Sequence, residues 1–203
     1  MHHVAILAYG SLIEDPGQEM QAAIVRRIEN VQTPFAVEFA HSSRNRDGAP
    51  ILIPVRKGGS QVRALILVLN EKVTLEEAES MLWRRETNRI GSLETYSHPL
   101  TPGPNTVIVE RLHAFHGIDT VLYTRIAENI SPLTPETLAD LAIDSVRSRA
   151  GAQQRDGISY LMAAKRNGIN TPLMEEYERE ILNAAPANTL EEARQVLRAG
   201  AAS

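Results

Sequence analysis

Three short stretches of this chain hold residue types whose spacing could support chemistry. The first is Ala8-Tyr9-Gly10-Ser11-Leu12, where an apolar run stops at a Gly-Ser turn. Such a turn releases backbone N–H groups from sheet pairing. N–H groups aimed at one point can hold a carboxylate or a developing oxyanion. Glycine permits the positive φ that aims them. Ser11 is a conceivable nucleophile, but the flanking pattern of a nucleophile elbow is missing. A plain strand-to-turn junction accounts for the same residues.

The second stretch centres on Glu86. Counted from Thr74, the residues Leu75, Ala78 and Leu82 fall at i, i+3 and i+7 and make one apolar stripe. The next place on that stripe belongs to Arg85 or Glu86, both charged. A carboxyl drawn out of water holds its proton more tightly, which suits acid–base work, and Trp83 stands close enough to help exclude water. The alternative is that the helix frays here and Glu86 pairs with Arg89 at i+3. The third stretch is Ser42-Ser43-Arg44-Asn45-Arg46-Asp47-Gly48, between two strand-like runs. Arg44 could bind a substrate carboxylate by two parallel bonds. A polar hairpin loop has the same composition.

Other chemistries have less to stand on. There are no cysteines, so thiolate nucleophiles, disulfides, zinc-thiolate sites and iron–sulfur clusters are excluded. His113 and His116 are three apart in a strand-like run and would point to opposite faces, which argues against a shared metal. His2, His3, His41 and His98 have no partner at a diagnostic spacing. No metal is assigned. No phosphate-cradling glycine loop is found. The formal net charge of −4 would on average repel a nucleic-acid backbone. Arg44, Arg46, Arg56 and Lys57 read as a solvated loop or a local basic patch.

The elements that must position these residues follow from pattern. Val4–Tyr9, Ile24–Arg27, Phe35–Ala40, Ile51–Val55, Val62–Leu69, Val107–Phe115 and Val121–Ile126 are apolar, rich in β-branched residues, and separated by Pro, Gly and Asn. One helix interrupts them, from about Thr74 to Asn88, opened by the capping box Thr74/Glu77. Beyond residue 130 the pattern is helical throughout. Thr134-Pro135 opens one helix and Gly151 closes it; others are expected at about 157–167, 172–184 and 189–199. Leu138, Leu141, Ile143 and Val146 make an apolar face that needs a partner surface. Tyr160 and Tyr177 read as packing residues with polar tips.

Apolar residues are 43% of the chain and charged residues 23%, the balance of a globular protein. No apolar run approaches the roughly 18 residues of a membrane helix. Met1-His2-His3-Val4 enters a strand-like run with no signal-peptide pattern, so a cytoplasmic protein is expected.

The strand ending in Tyr9-Gly10-Ser11-Leu12, the strands after it, and a helix with a lone carboxylate about 75 residues later together resemble the γ-glutamylcyclotransferase family. The stretch from Ser42 to Val55 is similar to bacterial members of that superfamily. The resemblance spans roughly residues 4–125. Many members carry Asn where this chain has Leu12, although Leu occurs in one branch, and the helices beyond residue 130 exceed the minimal family core.

The resemblance implies an α+β fold with a small mixed β-barrel and flanking helices over 1–130; the helical pattern and its apolar face add a C-terminal extension over 131–203 packed on it. It implies that Tyr9, Gly10, Ser11 and Leu12 bind the glutamyl part of a small-molecule substrate, and that Glu86 is the catalytic acid/base. The implied activity is release of 5-oxoproline from a γ-glutamyl amine, amino acid or peptide such as glutathione, of lyase or acyltransferase class. Neither metal nor organic cofactor is required, and no nucleic-acid or membrane partner is expected. The oligomeric state is open. A non-catalytic binding module on the same fold and a γ-glutamyl amide hydrolase are the competing expectations.

Overall fold

The computed structural model describes residues 3–200; Met1 and His2, on which the N-terminal expectation partly rests, lie outside the described residues. The protein is mixed α+β. In chain order its elements are β1 Val4–Ala8, α1 Gln18–Ala23, β2 Ile24–Gln32, β3 Val37–Ser43, β4 Ala49–Pro54, β5 Arg63–Leu69, α2 Leu75–Glu86, β6 Ile108–Phe115, β7 Ile118–Arg125, α3 Pro135–Arg147, α4 Arg149–Ala152, α5 Gly157–Arg166, α6 Met174–Ala184 and α7 Leu190–Ala199. Two compact units form: Met1–Pro34 with Arg63–Ala127, and Phe35–Val62 with Glu128–Ser203. The sequence pattern divides the chain once, near residue 130. The contacts also divide it at 34/35 and 62/63, because the β3–β4 hairpin packs with α3 and α5.

The first unit is built on a five-stranded mixed sheet of order β2-β5-β1-β7-β6. β1 is its centre, antiparallel to β5 with Ile6 opposite Leu67, and parallel to β7 with Ala5 opposite Val121. All five β1 residues are buried. A strand covered on both faces needs no polar alternation, which is why it reads as an unbroken apolar run. The sheet order is open, with β2 and β6 at its edges, and no closed barrel is found among the described residues. β2 runs past Arg27 to Gln32 because a register shift between Ile28 and Val31 absorbs Asn30, whose φ is 57°.

α2 starts as its capping box demands, with Thr74 Oγ1 accepting from the Glu77 N–H at 3.2 Å. Its stripe packs Ala78 and Leu82 against Ile6, Ala8, Leu65 and Leu67. Full burial of Leu82 alone is worth roughly 2–3 kcal/mol. The short helix α1 was not legible in the sequence: Pro16-Gly17 reads as a loop, yet Gly17 caps six helical residues.

The second unit is a two-stranded hairpin with five helices. Phe39 of β3 is fully buried, edge-on to Tyr160 at 6.1 Å and Tyr177 at 5.4 Å between ring centroids. Both tyrosines are packing residues. The Tyr177 hydroxyl is buried with no hydrogen-bond partner among the described residues, and burial pushes its phenol well above the usual range. Glu38 is also buried. Its carboxyl accepts from Thr171 Oγ1 (2.6 Å), the Phe39 N–H (2.8 Å) and the Leu173 N–H (3.1 Å), while burial raises its pKa. The helix opened by Thr134 ends at Arg147 rather than Gly151, because Ser148 turns to an extended conformation and caps α4. No helix among the described residues is long and apolar enough to cross a membrane.

Candidate functional site

The Tyr9–Leu12 turn and the end of α2 meet in the first unit. β1 stops at Ala8, Tyr9 is still extended, and Gly10 turns the chain at φ 59° into a single 3₁₀ turn, Gly10–Leu12. The Ile13 N–H donates to the Gly10 carbonyl at 3.3 Å and the Asp15 N–H to the Ser11 carbonyl at 3.0 Å. The Gly10 and Ser11 N–H groups precede the first intrahelical bond, so the turn itself gives them no acceptor. Two of the four motif side chains are structural. Leu12 is buried in the sheet–helix core, and Tyr9 is buried with its hydroxyl donating to the Thr124 carbonyl of β7 at 3.3 Å. Ser11 is half-buried.

Glu86 is the last residue of α2. Its side chain is 23% exposed, neither sealed in the core nor free in water. Arg85, 12% exposed, makes the connection. Its Nη1 donates to Glu86 Oε1 at 2.7 Å, its Nη2 to Ser11 Oγ at 3.2 Å, and its Nε and Nη2 to the Asp15 carbonyl at 3.0 and 2.7 Å. One planar guanidinium thus binds the catalytic candidate on one prong and both ends of the Ser11–Asp15 turn on the other. Glu86 Oε1 and Ser11 Oγ therefore lie within roughly 8 Å, the span of one guanidinium fork and its two bonds. Gly17 makes room: a Cβ there would stand 3.1 Å from Arg85 Cγ.

Pairing of Glu86 with Arg89 does not form. Arg89 turns to Glu94 and lies over the Trp83 ring, 5.0 Å from its centroid. Arg84 goes the other way, its Nε donating to Glu19 Oε2 at 3.0 Å, and Glu19 also accepts from the Gly91 N–H at 2.7 Å. The Arg84 hydrogen bond holds the Glu19 carboxyl below its ordinary pKa. The three consecutive side chains after Trp83 thereby divide their work. Arg84 ties α2 to α1 and to the loop beyond the helix, Arg85 ties it to the turn, and Glu86 is left at the junction.

Arg44 belongs to the second unit, where it lies exposed in the Arg44–Arg46 turn at the tip of the β3–β4 hairpin. That tip is fastened by Asp47, whose Oδ2 accepts from Ser148 Oγ at 2.9 Å and the Ala150 N–H at 2.8 Å. The hydrogen bond from Ser148 lowers the Asp47 pKa. Sequence reasoning missed Arg85 as the connecting residue. The run Arg84-Arg85-Glu86 shows charge at the helix end, but nothing local says which arginine faces the turn. No group of three or more His, Asp or Glu side chains is placed to hold a metal ion among the described residues. No protein-family model matches the chain, and a search of curated proteins finds no match.

Proposed function

We propose that this protein is a γ-glutamylcyclotransferase-like enzyme that releases 5-oxoproline from a γ-glutamyl compound. The observation that carries the reading is the Arg85 fork, which couples the Glu86 carboxylate to the Gly10–Ser11 turn. The reading includes a cytoplasmic setting and the family's small mixed barrel. The described strands supply an open sheet, so closure of that barrel rests on the resemblance alone.

The chemistry needs little from the protein. A γ-glutamyl substrate carries its own nucleophile, the α-amine, five atoms around a ring from the γ-carbonyl carbon. Attack forms the new C–N bond of 5-oxoproline, and the old C–N bond breaks to release an amine. An intramolecular nucleophile removes the need for a protein one. Glu86 takes a proton from the α-ammonium and returns one to the departing nitrogen. The Gly10 and Ser11 N–H groups stabilise charge on the substrate oxygen. Because Arg85 donates to Ser11 Oγ, the serine keeps its own hydroxyl proton to donate. Arg85 is a positioning residue: it fixes the carboxylate against the turn.

The test is product analysis on a panel of γ-glutamyl amino acids, γ-glutamyl amines and glutathione. The expected result is 5-oxoproline and free amine in equal amounts from at least one member. Free glutamate in place of 5-oxoproline would make the protein a hydrolase. No turnover of any member would remove the catalytic reading.

A further inference from the structure

A cavity of about 410 Å3 lies in the first unit and uses none of the residues assigned above. It is lined by Glu79 of α2, Tyr96 and His98 of the following segment, and Val109, Glu110 and Arg111 of β6. Glu79 is charged yet buried. Its Oε1 accepts from Arg111 Nε at 2.6 Å. That is half of what the pair can do, for Glu79 Oε2 and both Nη atoms of Arg111 make no hydrogen bond among the described residues. The Glu79 bond raises the Arg111 pKa further, so the guanidinium is a permanent cation.

The opposite wall is equally defined. Tyr96 Oη accepts from the Val109 N–H at 3.1 Å. Its own proton can go to His98 Nδ1, also 3.1 Å away, and in that tautomer the imidazole carries its proton on Nε2 as a donor. Burial raises the Tyr96 pKa, so the phenol keeps that proton. The Glu110 side chain, next to Arg111 along β6, projects to the other face of the strand, where its Oε1 accepts from Nε and Nη2 of Arg125 at 3.0 and 2.7 Å.

The unused groups are thus of two kinds: the free Glu79 carboxylate oxygen, and a guanidinium edge with one imidazole N–H. A phosphate would face the Glu79 carboxylate. A polyamine would face Arg111. A molecule with one protonated amine and one carboxylate satisfies both sets, and the planar Nη edge matches a carboxylate by two bonds. We propose that this cavity binds a small zwitterion of the α-amino acid class, its carboxylate on Arg111 and His98 and its ammonium on Glu79. The site does not depend on the cyclotransfer reading.

The experiment is ligand-observed NMR and calorimetry on the full chain. The probes are the common L-amino acids, with propylamine, propionate and inorganic phosphate as single-charge or anionic controls. At least one amino acid should bind saturably at one site, and the controls at least about tenfold more weakly. Arg111→Gln should weaken that amino acid by at least about tenfold. His98→Ala, at an exposed position, should weaken it measurably in a chain that folds normally, so the test stands even if Arg111→Gln does not fold. The proposal is overturned if no amino acid binds, if a control binds as tightly, or if both cavity variants bind like the parent.

Discussion

Glu86→Gln separates chemistry from stability because the structure predicts very different sizes for the two effects. The glutamine Oε1 can still accept from Arg85 Nη1, where the carboxylate accepts at 2.7 Å. Only the charge assistance of that bond is lost. Charge-assisted bonds are about twice as strong as neutral ones, and a neutral bond is worth about 1 kcal/mol net, so the loss is on the order of 1 kcal/mol. The pair is partly open to solvent, at 12% and 23% exposure, which makes that figure an upper value. For a chain of this length it lowers Tm by about 2–4 °C. A domain with 5–15 kcal/mol of stability stays essentially fully folded. On the proposed mechanism the same change removes the proton carrier and should lower kcat by at least about 10²-fold, or about 2.7 kcal/mol of barrier. Substrate should still bind, because on that reading the turn and not Glu86 would grip the glutamyl group. The assay pairs a melting curve with timed 5-oxoproline release on the same preparation. Unchanged turnover per folded molecule would refute the role of Glu86. So would a loss of activity that tracks the folded fraction.

Further outcomes follow from other parts of the molecule. Gly10→Val forces a β-branched residue to φ 59°, which costs roughly 1–2 kcal/mol and should abolish activity by turning the loop; an active, normally stable variant would refute the donor-loop role. Arg85→Met should lower kcat/KM with little change in fold, since it releases Glu86 and Ser11 together; a parent-like pH–rate profile and kcat would show the fork to be structural only. Burial raises the Glu38 pKa above its unfolded value near 4.5, so its contribution is fully present below about pH 4.5 and is lost as pH rises through the folded value. Glu38→Gln should therefore flatten the fall in Tm on that rising side, and the lowered carboxyls of Glu19, Asp47 and Glu136, present in both proteins, cancel in the difference. Identical profiles would mean that Glu38 does not titrate in that range. Truncation near residue 130 removes Tyr160 and Tyr177 and bares Phe39, so the shortened chain should aggregate in light scattering; a soluble, monomeric product would contradict that packing.

Much of the element list is local and was legible. The Thr74/Glu77 box starts α2 because a side-chain oxygen and a backbone N–H three residues away decide it alone. Thr134-Pro135 opens α3 for the same kind of reason. The apolar runs that became β1, β5 and β7 needed only their composition. The tight turn at Gly10, with its positive φ, was also visible, since a Gly-Ser turn after a buried strand has few conformations open to it.

What only the tertiary structure decided is which of these elements meet. β1 takes β7 as its parallel neighbour across more than a hundred residues, and β3 and β4 leave the five-stranded sheet to pair with each other. Pairing energy is paid out between strands that composition makes nearly interchangeable, so the choice lies in long-range packing. The same holds at the site. Arg84, Arg85 and Arg89 all stand within one turn of Glu86, and the sequence by itself nominates Arg89 by spacing. The fold selects Arg85, because the Ser11–Asp15 turn presents a hydroxyl and a carbonyl to its guanidinium while Glu19 and Glu94 draw the other two away. A long charged side chain has no strong preference of its own; it goes where acceptors converge, and that convergence exists only after β1, α1 and α2 are assembled.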